Sequence, residues 1–465
     1  MAYKKCLLFF QESLLLMASG YILKIYVTIF FGKKPYILPQ FRQNGACHTK
    51  KCLLFFRKML CYSMRHEQEN KEKEIINMNR FTIPRDLYFG DNAMEYLESL
   101  KGTKAFIVYG SKRLEEDGVI GKIQTCLKKA NIESMTFSGV EHDPSVATVR
   151  EGARQMREFQ PDVIIGIGGG SPIDAAKAMW IFYEHPDFTF EEAAKPFNLP
   201  ELRKKAKFIA IATTSGTATE VTSFSVITDN ETGIKYPIAD YNITPDVAIL
   251  DTTLVESMPK HLVANTGMDA LTHALEAYVS TAANPFTDAL AMRAIEMICK
   301  NLVPSYQGDM EARKNMHLAQ NLAGMSFSNA ILGIAHSMAH KSGAILDVPH
   351  GLANAIYLPN TVLFNSKTAG AKYAEIASRV GLEGKTEHEL VSSLVQLIKD
   401  MRKDLEMPAS LKEFGIEEAD FQSKLENMAV TAVADPCTGT NPREVSNEEM
   451  KKLYLAAYYG EDINF

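Results

Sequence analysis

At 465 residues the chain is longer than one ordinary hydrophobic core can serve, so two folded domains are expected. Its 46% hydrophobic and 23% charged residues exclude a disordered or fibrous chain. A net charge of −6 excludes nucleic-acid binding driven by electrostatics.

The first 79 residues differ from the rest. They hold 13 Lys and Arg against 5 Asp and Glu, whereas the remainder holds 37 against 51. Lys4-Lys5-Cys6-Leu7-Leu8-Phe9-Phe10 recurs letter for letter at Lys50–Phe56, which reads as a duplication rather than a folded unit. Ser13 to Phe31 is apolar enough to be a membrane-span candidate, although Lys24 near its middle would cost about 2.5–3.5 kcal/mol. No signal-peptide pattern is clear, and the favoured reading of residues 1–79 is a leader or extension outside the folded body of the chain. Four of the seven cysteines fall here. The three beyond, Cys126, Cys299 and Cys437, form no disulfide framework and fit a reducing cytoplasm.

From residue 80 a regular alternation begins. Lys104–Tyr109 reads as a buried strand ending in a Gly110-Ser111 turn, and residues 115–130 as an amphipathic helix broken near Gly118 and Gly121. A second strand, Asp162–Ile167, runs into Gly168-Gly169-Gly170-Ser171-Pro172-Ile173-Asp174, and a third, Phe208–Ala212, into Thr213-Thr214-Ser215-Gly216-Thr217. Strands alternating with helices predict an α/β layer with a mostly parallel sheet over 80–256. Glycines let a backbone approach a pyrophosphate closely. With Ser171 as N-cap and Pro172 at the first helical position, free N–H groups would face it. The run is not the GxGxxG fingerprint, and taken alone it is equally a tight strand-to-helix turn. Lys177 is expected inside the following helix, with a solvated surface lysine as the plain reading.

After about Asp251 the strands stop, and residues 257–465 read as an all-helical domain. Helices are expected over 265–280, 285–301, 311–328 and 331–344, with several more beyond. Asp269 and His273 are four apart, which stacks both side chains on one helix face. His336 and His340 repeat the spacing, and His350 follows in a Pro-His-Gly turn. The surroundings are Ala, Gly, Ile, Leu and Met, among which unpaired imidazoles are costly. Imidazoles with a carboxylate suit Fe(II), Zn(II) or a similar divalent ion, and spacing alone admits all five residues as ligands. His142, His185, His261, His317 and His388 stand in polar or loop contexts and are read as ordinary histidines.

Together with Asp435-Pro436-Cys437-Thr438-Gly439-Thr440-Asn441-Pro442-Arg443, these motifs make residues 78–465 resemble the iron-containing (group III) alcohol dehydrogenases, and among them the NADPH-dependent butanol dehydrogenases. The resemblance implies an N-terminal α/β dinucleotide-binding domain, an all-helical metal-binding domain, and an active site in the cleft between. It implies Fe(2+), with Zn(2+) or another divalent ion as the alternative, held by Asp269, His273, His336 and His350. His340 then becomes a residue for substrate positioning or proton relay. Cofactor contacts are implied at Gly169, Gly170, Ser171, Asp174, Thr213, Thr214, Thr222 and Lys235. The first turn, Gly110-Ser111-Lys112-Arg113, has two cations and a hydroxyl but no carboxylate, which favours NADP(H) over NAD(H). The implied reaction is hydride transfer between the nicotinamide and a small alcohol or aldehyde, in a cytoplasmic homo-oligomer with no nucleic-acid partner and no membrane contact unless residues 1–79 provide one. The alternative is a dehydroquinate-synthase-like lyase, which shares the architecture and would need several Lys or Arg facing the metal.

Overall fold

A computed structural model describes residues 80–231 and 235–465, and two short strands before them, Thr28–Phe31 and Lys34–Ile37, which pair antiparallel. The repeat at Lys4 and Lys50 lies outside the described residues, as does the apolar run from Ser13 up to Val27. Among the described residues no helix is long and apolar enough to cross a membrane. Residues 80–465 form one compact unit.

Continuous runs of Val, Ile and Ala build the sheet, as expected for parallel strands covered on both faces. The strands are β1 (Asp86–Gly90), β2 (Lys104–Val108), β3 (Glu133–Phe137), β4 (Val163–Gly168), β5 (Lys207–Ala212) and β8 (Val247–Asp251). They lie in the order β1-β8-β5-β4-β2-β3, and every pair is parallel. A separate antiparallel pair, β6 (Phe224–Thr228) and β7 (Lys235–Ala239), follows the threonine loop. Three helices cover the sheet: α1 (Val119–Lys129), α2 (Val146–Phe159) and α3 (Gly170–Glu184). One apolar cluster sits on each face, the first around Trp180 and Phe208, the second around Ile165 and Ile209.

Everything after the turn at 252–255 is helical: α4 (Lys260–Val279), α5 (Pro285–Gln307), α6 (Met310–Ala330), α7 (Ile334–Leu346), α8 (His350–Arg379), α9 (Glu387–Asp404), α10 (Glu418–Val433) and α11 (Asn447–Tyr459). Asn284 caps α5 just ahead of Pro285, whose missing N–H costs nothing in the first turn. A large core unites these helices, and a smaller cluster around Ala218, Val221, Ala248 and Phe327 joins them to the sheet.

Four local readings change. The break before α1 falls at Gly118 (φ 75°), but the helix runs through Gly121, where an added Cβ would meet only open space. α3 starts two residues earlier than expected. Gly168 (φ 148°) completes the turn, Gly169 is the cap, and Ser171 and Pro172 are already helical. His350 opens α8 rather than lying in a turn, because Pro349 takes the cap position three residues after α7 ends. Lys177 is completely buried instead of solvated, because helix α3 is apolar on all sides and packed on all sides.

Candidate active site

Helix α4 carries Asp269 and His273 on one face, α7 brings His336, and the first residue of α8 brings His350. Around Asp269 Oδ1 the Nε2 atoms of His350, His336 and His273 lie at 3.4, 3.6 and 4.0 Å. Donors of one divalent ion held at about 2.0–2.2 Å lie about 3.4 Å apart. Asp269, His273 and His336 offer donor atoms all within 4.8 Å of one another, and His350 Nε2 approaches Asp269 Oδ1 beside them. Asp269, His273 and His336 are buried, and His350, with its side chain 42% exposed, is the open side. Burial alone would raise the Asp269 carboxyl, but its interactions with the imidazoles of His273, His350 and His336 outweigh it and hold it well below the usual carboxylate range. Burial pushes His273 down to about 3, so its ring is neutral, as a ligand must be.

Groups that the sequence left without a role surround these residues, and one of them, Glu276, orients His336. Glu276 is buried on α4. Its Oε2 lies 2.6 Å from His336 Nδ1, and its Oε1 accepts from the Ala335 N–H at 2.7 Å. With Nδ1–H engaged there, His336 turns Nε2 to the centre. Asn354, one turn along α8 from His350, donates through Nδ2 to Asp269 Oδ1 at 2.8 Å and reaches the Nε2 atoms of His336 and His350 at 3.1 and 3.3 Å. Phe327 stacks on His273 at 4.2 Å between ring centroids. The periodicity that revealed Asp269 and His273 also covers Glu276. Asn354 sits at i+4 from His350, a signal hidden by reading His350 as a turn residue.

His340 lies beside this centre, its ring stacked on that of His350 at 5.6 Å between centroids. Its Nδ1 lies 3.1 Å from Asp435 Oδ2, where Lys341 Nζ also binds at 2.8 Å. His340, Asp435 and Cys437 form a second group of donor atoms beside the first. The rest of the Asp435–Arg443 segment straps α7 in place. Asn441 Oδ1 accepts from the Ile334 N–H, Thr438 donates to Ser337 Oγ, and Thr440 donates to the Leu332 carbonyl.

Along the sheet, the chain adds β3 on one side of β2 and then returns to place β4 on the other. The strand order reverses there, and ligands of open parallel sheets bind at such a crevice. The turn after β2 (Gly110, Ser111) and the turn after β4 (Gly169, Gly170, Ser171) are its two lips. They approach closely, since a Cβ on Gly110 would meet Val140 O at 2.5 Å and Pro172 at 3.2 Å. Thr213 donates its N–H to Gly168 O at 2.9 Å, and Thr214 packs against Gly169. Thr222 is more enclosed than a residue lining an open crevice, while Asp174 is half-buried. Asp174 Oδ2 accepts from the Val226 N–H at 3.1 Å, and Thr222 is only 2% exposed. Lys235 is exposed and pairs with Asp143 at 3.2 Å. His317, read as an ordinary polar-context residue, is fully buried in α6, with Nδ1 3.2 Å from Ser215 Oγ.

Residues 84–252 match the family described as iron-containing alcohol dehydrogenase, and residues 263–458 match its C-terminal region. The chain is 58% identical over 388 residues to the NADPH-dependent butanol dehydrogenase of Clostridium saccharobutylicum, covering 83% of this chain and all of that protein. It is 40% identical over 421 residues to a bifunctional aldehyde-alcohol dehydrogenase of Escherichia coli (strain K12), covering 84% of this chain but 47% of that longer protein. The crystal structure of an iron-containing alcohol dehydrogenase from Thermococcus thioreducens superposes with a TM-score of 0.77 at 37% identity, over 82% of this chain and all of that one. The parallel sheet followed by a helical half, the converging aspartate and histidines and these matches lead to one conclusion: the chain belongs to the iron-containing alcohol dehydrogenase family.

Proposed function

We propose that this alcohol dehydrogenase transfers hydride between NADP(H) and a small primary alcohol or aldehyde such as butanol or butanal, with Fe(2+) held by Asp269, His273, His336 and His350. The observation that carries this reading is the convergence of three Nε2 atoms on Asp269 Oδ1, with Glu276 holding His336 by its other nitrogen. Zinc or another divalent ion suits the same donors. When bound, the ion supplies Lewis-acid polarisation at the substrate oxygen, and the nicotinamide supplies the hydride.

The chain itself binds, orients and moves a proton. The free N–H groups of Gly170 and Ser171 at the start of α3 take the pyrophosphate, with Gly169, Thr213 and Thr214 closing over it. Asp174, Thr222 and Lys235 complete the cofactor side, the first two from beneath it. At the adenosine end Ser111 and Lys112 receive the 2′-phosphate. Arg113 plays a lesser part, because its guanidinium is already bound to Asp117 at 3.1 Å and to the Ser257 carbonyl at 3.2 Å. The name of the Clostridium relative, NADPH-dependent, supports this preference. Asp435 holds His340 by Nδ1, which leaves Nε2 to carry a proton between the substrate side and solvent, and the side chain is 39% exposed for that purpose. Among the described residues Cys126, Cys299 and Cys437 are free, which supports a reducing, cytoplasmic setting, and we propose a homo-oligomer there. The lyase alternative is not favoured, since what faces the quartet is Phe327, Glu276 and Asn354 rather than a group of Lys and Arg.

Anaerobic purification, metal analysis and turnover of short straight-chain aldehydes with NADPH against NADH test the reading. Iron-dependent reduction of butanal with a lower KM for NADPH is expected. Full turnover after complete metal removal would overturn the metal role, and equal KM values would overturn the cofactor preference.

A further inference from the structure

Lys177 is a buried cation for which the proposed chemistry has no use. Its Nζ donates to three main-chain carbonyls, Thr222 O at 2.7 Å, Thr219 O at 2.8 Å and Phe224 O at 3.0 Å, with Thr222 Oγ1 at 3.3 Å. An ammonium has three protons, and here all three go to one six-residue segment that is not part of its own helix. The nearest carboxylates, Asp174 and Glu220, act on it by charge while their hydrogen bonds go to other groups. Asp174 accepts from the Val226 N–H, and Glu220 accepts from Gln320 at 2.8 Å and Asn321 at 2.7 Å. Filling space does not explain a lysine, because Met or Leu packs in such a site without the desolvation cost of a charge. Burial accordingly pushes Lys177 down to about 8.

The segment it holds is the threonine loop. Thr214, Thr217 and Thr219 lie against the positions where Gly169 and Gly170 would carry a Cβ, so the loop is seated on the glycine turn. Ala218 within it takes a left-handed conformation (φ 51°), which a non-glycine residue keeps only when its surroundings enforce it. The loop's other side faces the helical half. Gly216 meets Thr266 of α4, one turn before Asp269, and Ala218 meets Gly324 of α6. The loop is therefore the wall shared by the dinucleotide crevice and the helices that carry the metal ligands.

We propose that Lys177 is a positioning residue for the cofactor: its ammonium draws the carbonyls of Thr219, Thr222 and Phe224 inward and so holds the Thr213–Ser223 loop in the curve that closes the dinucleotide crevice. This rests on the cofactor site proposed above. Removing the ammonium leaves the Thr222 and Phe224 carbonyls without this donor and Thr219 O with a long bond from the Thr222 N–H at 3.4 Å, and the loop must loosen to reach water.

The test uses the full chain carrying Lys177→Met and Lys177→Gln. Three readouts are compared with the wild type: metal content, the kcat and KM split for NADPH, and amide hydrogen exchange. Expected are an unchanged metal content, a KM for NADPH raised about tenfold or more with kcat at saturating cofactor changed far less, and exchange accelerated about tenfold over residues 213–224 alone. Lys177→Gln keeps two donors and should fall between. A folded variant with wild-type KM and wild-type exchange in that segment overturns the proposal, as does acceleration spread evenly over the chain. If Lys177→Met does not fold, Lys177→Gln decides by the same criteria. If the wild type binds metal but neither NADPH nor NADH, the cofactor reading fails, and the exchange pattern still decides whether Lys177 holds the loop.

Discussion

His336 reaches the metal centre through one nitrogen because Glu276 holds the other, and that single bond carries a prediction. Glu276→Gln keeps the volume but removes the charge that fixes the imidazole tautomer, so metal affinity measured by chelator competition should fall about 10- to 100-fold. Unchanged affinity would show that the tautomer is set elsewhere. His273→Ala removes a donor outright, and the variant should lose metal and turnover together while its far-ultraviolet circular dichroism stays native. His317 makes a pH argument away from the metal. Burial pushes it down to about 4, against about 6.5 in an unfolded chain. The native ring stays neutral while the unfolded chain takes up the proton first. Its contribution is therefore fully present above pH 6.5 and lost as pH falls toward 4. His317→Gln should flatten the fall in Tm between those two pH values, and an identical slope in both proteins would count against the assignment. Glu276 and His317 were unreadable one residue at a time, because a buried partner decides what each side chain does.

Among the elements, the start of α8 is the most exacting. Gly351 follows the ligand His350, and an added Cβ there would run into the backbone carbonyl of Asn265 on α4. Backbone cannot swing aside as a side-chain tip can, so Gly351→Ala should displace His350. The expected result is loss of most bound metal with a drop in Tm, read by metal analysis and calorimetry. Full metal occupancy would mean that α8 can shift as a unit. The turn after β2 carries the second element-scale prediction. Ser111→Asp places a carboxylate where the adenosine end is proposed to lie, so KM for NADPH should rise about tenfold while KM for NADH falls. Parallel changes for both cofactors would indicate a disturbed turn rather than lost 2′-phosphate recognition. The existence of these helices and strands was legible in periodicity and in the Gly, Pro and Asn that bound them. Their ends were not, since the α3 cap depended on how Gly168 turns and the α8 cap on Pro349.

For the whole molecule, residues 80–465 close one compact unit, and the C. saccharobutylicum relative matches 83% of this chain with all of its own length. A chain of residues 80–465 expressed alone should therefore bind metal and reduce butanal with unchanged KM, and a loss of turnover would assign residues 1–79 a part in the enzyme. What the sequence determined by itself was local: strands from apolar runs, helices from period, and two candidate ligands on one helix face from the four-residue step between Asp269 and His273. Each depends on neighbours in the chain, where helix and strand geometry set the distance. Only the tertiary structure decided which carboxylate holds His336, that Asp435 bonds His340, that Lys177 lies buried beneath the threonine loop, and that the turns after β2 and β4 are lips of one crevice. Those contacts join residues far apart in sequence, from the 42 that separate Lys177 from Thr219 to the 95 between His340 and Asp435. No local spacing encodes such pairs, because they arise from how packed helices and a reversed strand order bring distant segments together.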